Sequence, residues 1–324
     1  MLTALREEDA RELAAHYGLD DLRAVTGIPA GSVNSNFSLR IGESHYFLRL
    51  YEERDVAGAE REAAMLERLA RAGVATPAPL SRTDGGLVSK LCGKPAALFP
   101  WRDGTMRCQA SVTPGDVRKV GAALAGVHKA GSAEPCEHGR FRYEDLLARL
   151  DTIAARNEAT FESIMPTLRA ELDRAHLQRD RSLPRGLTHG DLFRDNVLWN
   201  DAGEIAALLD FESACEGTFA YDLMVTMLAW CVADELDLEL SRAMFDGYES
   251  VRALAPQERR GLWAEGCFAA LRFTITRITD YALRTGHAGP RVVKDWRRFF
   301  MRFEKLQALG TRGLLEGLPA TRDR

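Results

Sequence analysis

The amino-acid sequence predicts an α+β fold of two lobes, a small mixed N-terminal lobe and a larger, mainly helical C-terminal lobe. Strand-like and helix-like segments alternate over the first hundred residues, whereas helical periodicity dominates from residue 115 almost to the C-terminus. A turn-rich connector, "WRDGTMRCQASVTPGD", lies between them at residues 101–116. We place the boundary near residue 103, which predicts domains at 1–103 and 104–324.

The N-terminal lobe is predicted to begin with an amphipathic helix, "REEDARELAAHYGL". A glycine-containing turn, "TGIPAGSVNSNFSLRI", then leads into the strand "HYFLRLYE". A second helix is expected at 57–72, because its helical periodicity stops at Gly73 and two prolines follow. The segments "GLVSKL" and "PAALFPW" are predicted strands that complete the lobe.

The C-terminal lobe is predicted to hold helices at 115–130, 143–157 and 165–178, and again from Asp222 onwards. One segment, "LTHGDLFRDNVLWNDAGEIAALLDF" at 187–211, interrupts them. Within it "NVLW" and "IAALLDF" have the composition of two short strands joined by the turn "NDAG". We therefore expect a hairpin that brings its two flanks side by side.

Composition and charge exclude several classes of protein. With 46% hydrophobic and 28% charged residues, the chain is neither disordered nor fibrous. The net charge of -4 comes from 43 basic and 47 acidic residues spread along the chain, which disfavours a nucleic-acid partner. The longest uncharged apolar run, 223–233, is too short to cross a membrane, so we expect no membrane partner. The N-terminus carries acids where a signal peptide needs an apolar centre.

Cysteine usage favours a reducing compartment. The six cysteines form no CxxC pair and show no metal-ligand spacing. Reduced thiols are typical of the cytoplasm, which is the predicted location.

The segment at 187–211 contains the candidate catalytic and metal-binding residues. Asp191 and Asn196 are five positions apart, and Asp210 follows the second strand of the hairpin. Carboxylate and amide oxygens suit Mg²⁺ and not zinc. The spacing H-x-D-x₄-N followed by D-F is typical of kinase-like phosphotransferases, in which the loop acid accepts a hydroxyl proton and the other two residues bind metal. His189 is expected to order this loop. The alternative is that these residues only form Asx turns.

The first lobe offers a cation for nucleotide phosphates. Strand alternation puts Arg49 on one face of "HYFLRLY", and Glu62 shares the apolar face of the following helix. An acid on such a face needs a partner, and Arg49 can supply it. The alternative is that Glu62 lies at the edge of the buried face.

The turn that contains Gly31, Ser32, Asn34 and Asn36 is predicted to place backbone N–H groups over the phosphates, although it lacks a phosphate-loop motif.

These motifs resemble those of the aminoglycoside phosphotransferase and choline kinase superfamily, in "HGDLFRDN" and "LLDF". Within that superfamily the chain is most similar to the homoserine kinases. The similar segments are "VNSNF", "GKPAALF", "DLFRDNVLW", "LLDFESAC", "ALRFTITRITDY" and "KDWRRFFMRFEKL". They are spread over nearly the whole chain, so the similarity reaches well beyond the loop.

The resemblance implies a two-lobed protein-kinase-like fold and Mg²⁺-dependent transfer of the ATP γ-phosphoryl group to L-homoserine, a step of threonine biosynthesis. It makes Asp191 the base, Asn196 and Asp210 the Mg²⁺ ligands, and Asp222 a support of the catalytic loop. The sequence departs from the family pattern where Arg49 replaces a lysine. It departs again at two positions of the predicted acceptor pocket, Arg194 and Glu212.

An amino-acid acceptor needs a donor for its carboxylate and an acid for its ammonium group. Arg272 and Arg277 lie about 140° apart on a helix, so both cannot face one pocket squarely. We assign the carboxylate to Arg272 and the ammonium to Glu212, with an ordinary salt bridge as the alternative for each.

Other acceptors remain open, namely choline, ethanolamine or an aminoglycoside. A nucleotide-binding pseudokinase without transferase activity is a further alternative. Retention of the Asp191, Asn196 and Asp210 set argues against the pseudokinase. The sequence does not determine the oligomeric state.

Overall fold

The computed structural model describes residues 3–29, 34–132, 138–283 and 294–319. The chain divides into two compact units. The first unit combines residues 1–106 with 197–212, and the second combines 107–196 with 213–324. The domain boundary placed near residue 103 stays a prediction, and residues 197–212 group with the first unit although they lie far along the chain.

The first unit is built on a five-stranded antiparallel sheet. Its strands are β1 (Leu22–Ile28), β2 (Ser35–Ile41), β3 (Ser44–Leu50), β4 (Ser89–Leu91) and β5 (Lys94–Pro100), in the order β1-β2-β3-β5-β4. Two helices, α1 (Glu7–His16) and α2 (Val56–Arg71), belong to the same unit. The predicted second helix is confirmed to within a residue at each end.

Strand alternation decides which side chains of β3 enter the core. Leu48 and Leu50 are fully buried in a cluster with Leu39 of β2, Leu98 of β5 and Leu13 of α1. Arg49 lies between them in sequence and therefore points to the opposite face, as predicted. The sheet thus holds a charged side chain away from its own hydrophobic core.

One N-terminal prediction, a turn followed by a hairpin, is wrong only in the extent of the turn. The composition of residues 26–41 predicts a turn, but β2 occupies most of the second half of this stretch and pairs with β1 along its length. The residues of β2 that are hydrophobic, Phe37, Leu39 and Ile41, alternate with polar ones and are buried. Pairing on both sides of β2 outweighs the low strand propensity of its serine and asparagine residues.

The predicted hairpin is confirmed as β7 (Val197–Trp199) and β8 (Ile205–Leu208). Val197 pairs with Leu208, and the backbone N–H of Leu208 donates to the carbonyl of Ala75 at 2.6 Å, which ties the hairpin to the first unit. A second small sheet pairs β6 (Arg185–Thr188) with β9 (Cys215–Thr218) in the second unit. Sequence patterning does not reveal β9, because its sequence "CEGT" lacks an apolar pattern.

The second unit is mainly helical. Among the described residues its helices are α3 (Pro114–Ala130), α4 (Tyr143–Ala155), α5 (Ala159–Glu162), α6 (Met165–Gln178), α7 (Phe219–Trp230), α8 (Leu238–Val251), α9 (Pro256–Arg277) and α10 (Arg297–Gly317). A π-helical segment, Ile278–Ala282, follows α9. Nearly every residue of α7 is buried, so this helix forms the centre of the unit. In the described ranges, no helix is both long enough and apolar enough to span a bilayer.

Two glycines allow α3 and α8 to pack closely. A Cβ at Gly121 of α3 would meet the carbonyl oxygen of Met244 at 2.1 Å. A Cβ at Gly247 of α8 would meet the carbonyl oxygen of Arg118 at 1.9 Å. Both obstacles are backbone atoms, so they cannot move aside without shifting a helix.

We expect Gly121→Ala to lower the free energy of unfolding by about 2–3 kcal/mol, because the added methyl group forces α3 away from α8. Gly126→Ala in the same helix is the matched control, since a Cβ at that position would have no atom of the described residues within 4 Å. That control should stabilise the protein by up to about 1 kcal/mol. Urea unfolding followed by circular dichroism tests both, and equal values for the two variants would contradict the close packing.

Candidate active site

The catalytic loop, which we define as residues 189–196, is held at its start by a buried carboxylate. Asp222 lies in the first turn of α7 and accepts hydrogen bonds from the backbone N–H groups of His189 at 2.6 Å and Gly190 at 2.8 Å. Gly190 has a φ of +74°, and a Cβ there would meet the carbonyl oxygen of Ser213 at 2.8 Å. Only glycine fits this bend.

A histidine from α3 completes the support. His128 Nε2 lies 2.9 Å from Asp222 Oδ2, and its Nδ1 lies 2.7 Å from the hydroxyl of Tyr248. Burial alone would raise the pKa of Asp222, but the hydrogen bond and charge of His128, together with the charge of His189, outweigh it. The pKa of Asp222 is therefore lowered, and the carboxylate stays ionised although it is fully buried.

The C-terminal end of α7 holds the other half of the loop. Trp230 donates from Nε1 to the carbonyl of Leu192 at 2.9 Å, and Arg194 donates from Nη1 to the carbonyl of Ala229. A cation suits the carbonyl end of a helix. The predicted contact between Arg194 and the acceptor stays a prediction, while the structure shows Arg194 fastening the loop to α7.

Asp191 and Asn196 lie at the two ends of a short turn inside the loop. The backbone N–H of Asp191 donates to His189 Nδ1 at 3.3 Å, and Asn196 donates from Nδ2 to the carbonyl of Asp191 at 2.8 Å. These bonds fix the backbone on either side of the Asp191 side chain. Asp191 itself is half-buried, so its carboxylate sits in an ordered and partly accessible position.

The first unit contains an ion cluster around Arg49. Arg49 Nη1 lies 3.1 Å from Glu62 Oε1 and 3.5 Å from Glu212 Oε1, so the predicted pair with Glu62 is present. Tyr51 donates to the same Glu62 oxygen at 3.1 Å, and Arg54 Nε lies 3.3 Å from Glu62 Oε2. Burial opposes the charge on Arg49, but Glu212 and Glu62 outweigh it and raise the pKa of this guanidinium.

Asp210 and Glu212 border this cluster. Asp210 has a left-handed backbone, with a φ of +60°, and its Oδ1 atom is buried without a hydrogen-bond partner in the described part of the chain. An unsatisfied buried carboxylate oxygen fits a metal ligand. Burial and the neighbouring Asp210 charge raise the pKa of Glu212 despite the opposing Arg49. Asn34 donates to Glu212 Oε1 at 2.5 Å, so this acid is engaged within the first unit.

The structure describes two of the four residues predicted to contact the nucleotide from the turn before β3, namely Asn34 and Asn36. Asn36 lies on β2 directly opposite Arg49 of β3, and Asn34 also accepts a hydrogen bond from the backbone N–H of Glu52. Gly31 and Ser32 lie outside the described residues. The phosphate-binding role of this turn stays a prediction.

Arg272 lies in α9 with only 3% of its surface exposed. Its guanidinium is held between two aromatic rings, 3.9 Å from the centroid of Phe141 and 3.7 Å from that of Phe273. Its Nε and Nη1 atoms are sealed from solvent and make no hydrogen bond to any described residue. The predicted contact with an acceptor carboxylate stays a prediction.

Sequence reasoning does not find several residues of these networks. His128 is fully buried on an apolar helix face, and that sequence pattern does not reveal its contact with Asp222. Tyr248 and Arg54 carry no sequence signal either. Such partners stay hidden because His128 and Asp222 are separated by 94 positions, and only the packing of α3 against α7 and α8 brings them together.

Comparison with known proteins identifies the family. The model of the phosphotransferase enzyme family matches residues 24–254. This chain belongs to that family. Proteins named homoserine kinase are among its relatives: one from Methylorubrum populi is 35% identical over 289 residues, covering 86% of this chain and 87% of the relative. Another, from Gluconacetobacter diazotrophicus, is 37% identical over 286 residues, covering 84% and 85%.

Solved structures of phosphotransferases confirm the two-lobed kinase-like fold. A spectinomycin phosphotransferase in complex with ADP and spectinomycin superposes with a TM-score of 0.71 at 13% identity, covering 98% of this chain and all of the other. An amicoumacin kinase in complex with AMP-PNP and Ca²⁺ gives a TM-score of 0.70 at 15% identity, covering 99% and 96%. At such identities the likeness shows the fold alone.

We expect Asp222→Asn to lower the free energy of unfolding by about 2 kcal/mol at neutral pH, since it removes charge-assisted hydrogen bonds from a buried site. The folded pKa of Asp222 lies below its ordinary value of 3.8, so the wild-type advantage is complete above that pH and is lost as the pH falls through the folded pKa. Urea unfolding between neutral and acidic pH should therefore show the two proteins converging in acid. Asp201→Asn, in the exposed turn of the β7–β8 hairpin, should follow the wild type throughout.

We expect Arg49→Met to lower the free energy of unfolding by about 3 kcal/mol. The change removes the Arg49 charge and leaves the carboxylates of Glu62 and Glu212 near one another. The matched control is Arg23→Met, on the same sheet, whose surface ion pairs with Asp21 and Glu43 should contribute less than about 1 kcal/mol. Chemical denaturation of both variants is the measurement. Equal losses would show that the Arg49 cluster carries no more weight than a surface pair.

Proposed function

We propose that this protein transfers the γ-phosphoryl group of ATP to the side-chain hydroxyl of L-homoserine and so forms O-phospho-L-homoserine for threonine biosynthesis in the cytoplasm. The observation that carries the proposal is the similarity to proteins named homoserine kinase, at 32–37% identity over most of both chains. The site supports it, because Asp191, Asn196 and Asp210 are all retained.

Asp191 is the proposed base. Its backbone is fixed on both sides by His189 and Asn196, and the loop start is held by Asp222. A carboxylate fixed in this way can accept the hydrogen of the acceptor hydroxyl and aim the oxygen at the phosphoryl group. Positioning and electrostatics supply most of the rate enhancement in phosphoryl transfer.

Asn196 and Asp210 are the proposed Mg²⁺ ligands. Asn196 directly precedes β7 and Asp210 follows β8, and the paired ends of these strands are Val197 and Leu208. Oxygen donors and the unsatisfied Asp210 Oδ1 fit this ion. When bound, Mg²⁺ offsets negative charge on the phosphates.

Arg49, oriented by Glu62, is the proposed phosphate cation. The turn at Gly31, Ser32, Asn34 and Asn36 is proposed as a further set of phosphate contacts.

The acceptor end is proposed to involve Arg272, Arg194 and Glu212. A cation and an acid together would match the carboxylate and the ammonium group of an amino acid. The fold does not select the acceptor by itself: solved structures of the same fold include an ethanolamine kinase from Plasmodium vivax and an aminopropanol kinase, at TM-scores of 0.62 and 0.64 and at 13% and 18% identity. The acceptor assignment therefore rests on the sequence relatives.

The decisive assay measures ADP release from Mg-ATP with L-homoserine, L-serine, choline, ethanolamine or kanamycin. We expect turnover with L-homoserine that falls by about 10²–10⁴-fold in Asp191→Asn, since that change removes the proposed base. Asp201→Asn, in the exposed turn of the β7–β8 hairpin, is the matched control and should retain activity. Turnover with another acceptor alone would refute the homoserine assignment, and nucleotide binding without any turnover would favour a pseudokinase.

A further inference from the structure

A set of arginines in the second unit makes no ion pair with any acid of the described residues. Elsewhere in this unit, buried or half-buried arginines pair with carboxylates, as Arg179 does with Glu265 at 2.9 Å and Arg252 with Glu258 at 3.0 Å. Five arginines that act on one another electrostatically make no ion pair within the described residues: Arg194, Arg272, Arg277, Arg298 and Arg302. We call them the arginine set.

Their hydrogen bonds go to backbone carbonyls. Arg302 donates to Val232 at 2.9 Å and Arg277 donates from Nη1 to Asp295 at 2.9 Å. Both guanidiniums also lie 4.4 Å from the ring centroid of Phe299. Carbonyls and rings satisfy N–H groups and attract cations, but they do not neutralise a full charge.

Arg277 and Arg302 keep their charge at neutral pH. Burial, reinforced by the other arginines, lowers the pKa of Arg302 to about 9. Burial lowers the pKa of Arg277 to about 10, which is still well above neutrality. Partly buried cations that repel one another favour the arrival of an anion.

Arg277 differs from Arg272 and Arg302 in two ways. Among the charges acting on it, that of Asp191, the proposed base, is the largest that favours its protonated form. In addition, Arg277 is half-buried, and none of its nitrogens is both buried and without a hydrogen-bond partner. By contrast, Nε and Nη1 of Arg272 and Nε of Arg302 are buried and have no hydrogen-bond partner among the described residues. A small ligand can therefore reach Arg277, and it can do so within electrostatic range of the base.

We propose that Arg277 binds the α-carboxylate of the amino-acid acceptor, an inference that rests on the proposed function. Nη1 of Arg277 is occupied by the Asp295 carbonyl, which leaves the Nε and Nη2 edge, and that edge matches the two oxygens of a carboxylate. Arg272 can add hydrogen-bond donors only from Nη2, because its Nε and Nη1 atoms are inaccessible. Arg277 thereby selects amino acids over amino alcohols, which would leave its charge uncompensated.

The test compares L-homoserine with L-homoserinamide, whose carboxamide is neutral, in steady-state kinetics of the full chain. Arg277→Met should lower kcat/KM for L-homoserine by roughly 100-fold, mainly through KM, and that for L-homoserinamide by less than about threefold. If the amide turns over too slowly, its inhibition constant against L-homoserine is compared instead. Arg312→Met, 91% exposed on α10, is the matched control and should change neither value.

Two further variants keep the test decisive. Arg277→Lys retains the charge but not the paired N–H groups, so it should lose roughly tenfold on L-homoserine alone. Equal losses on both acceptors, or an acceptor-dependent loss in Arg272→Met and none at Arg277, would overturn the inference. Absence of any L-homoserine turnover in the wild type would instead refute the proposed function, so the two failures are distinguishable.

Discussion

The ionised carboxylate of Asp222 is the constraint on which the candidate site depends. It is completely buried, yet it accepts hydrogen bonds from two backbone N–H groups of the catalytic loop and is hydrogen-bonded to His128. A charge removed from water in this way is stable only if its hydrogen bonds are all in place. The bend at Gly190, the position of α7 and the approach of α3 are therefore specified together.

Charge is distributed differently in the two units. Around Arg49 the cation is surrounded by carboxylates, with Glu62 and Glu212 both in range of one guanidinium. Arg277 makes no ion pair within the described residues and instead contacts a backbone carbonyl and an aromatic ring. The proposed reaction involves anionic phosphates and an acceptor with charged groups, so it would need environments of both signs, and one of each kind is found in the two units taken separately.

Local spacing allows much of this site to be predicted. The intervals between Asp191, Asn196 and Asp210 are fixed by one loop and one hairpin, and strand and helix periodicity is enough to pair Arg49 with Glu62. Periodicity cannot choose between Arg272 and Arg277, because it gives the angle between two side chains and not the surroundings of either. β2 escapes prediction for a related reason, since its pairing on both sides is a property of the sheet.

The grouping of residues 197–212 with the first unit has a consequence for biosynthesis on the ribosome. The β7–β8 hairpin is bonded to Ala75, yet more than a hundred residues separate them in the chain. A nascent polypeptide that has emerged only to residue 106 lacks this hairpin, so the first unit can be completed only after part of the second has been synthesised. Such an interleaved order couples the two units during folding, and it makes the first unit an incomplete body whenever translation stops early.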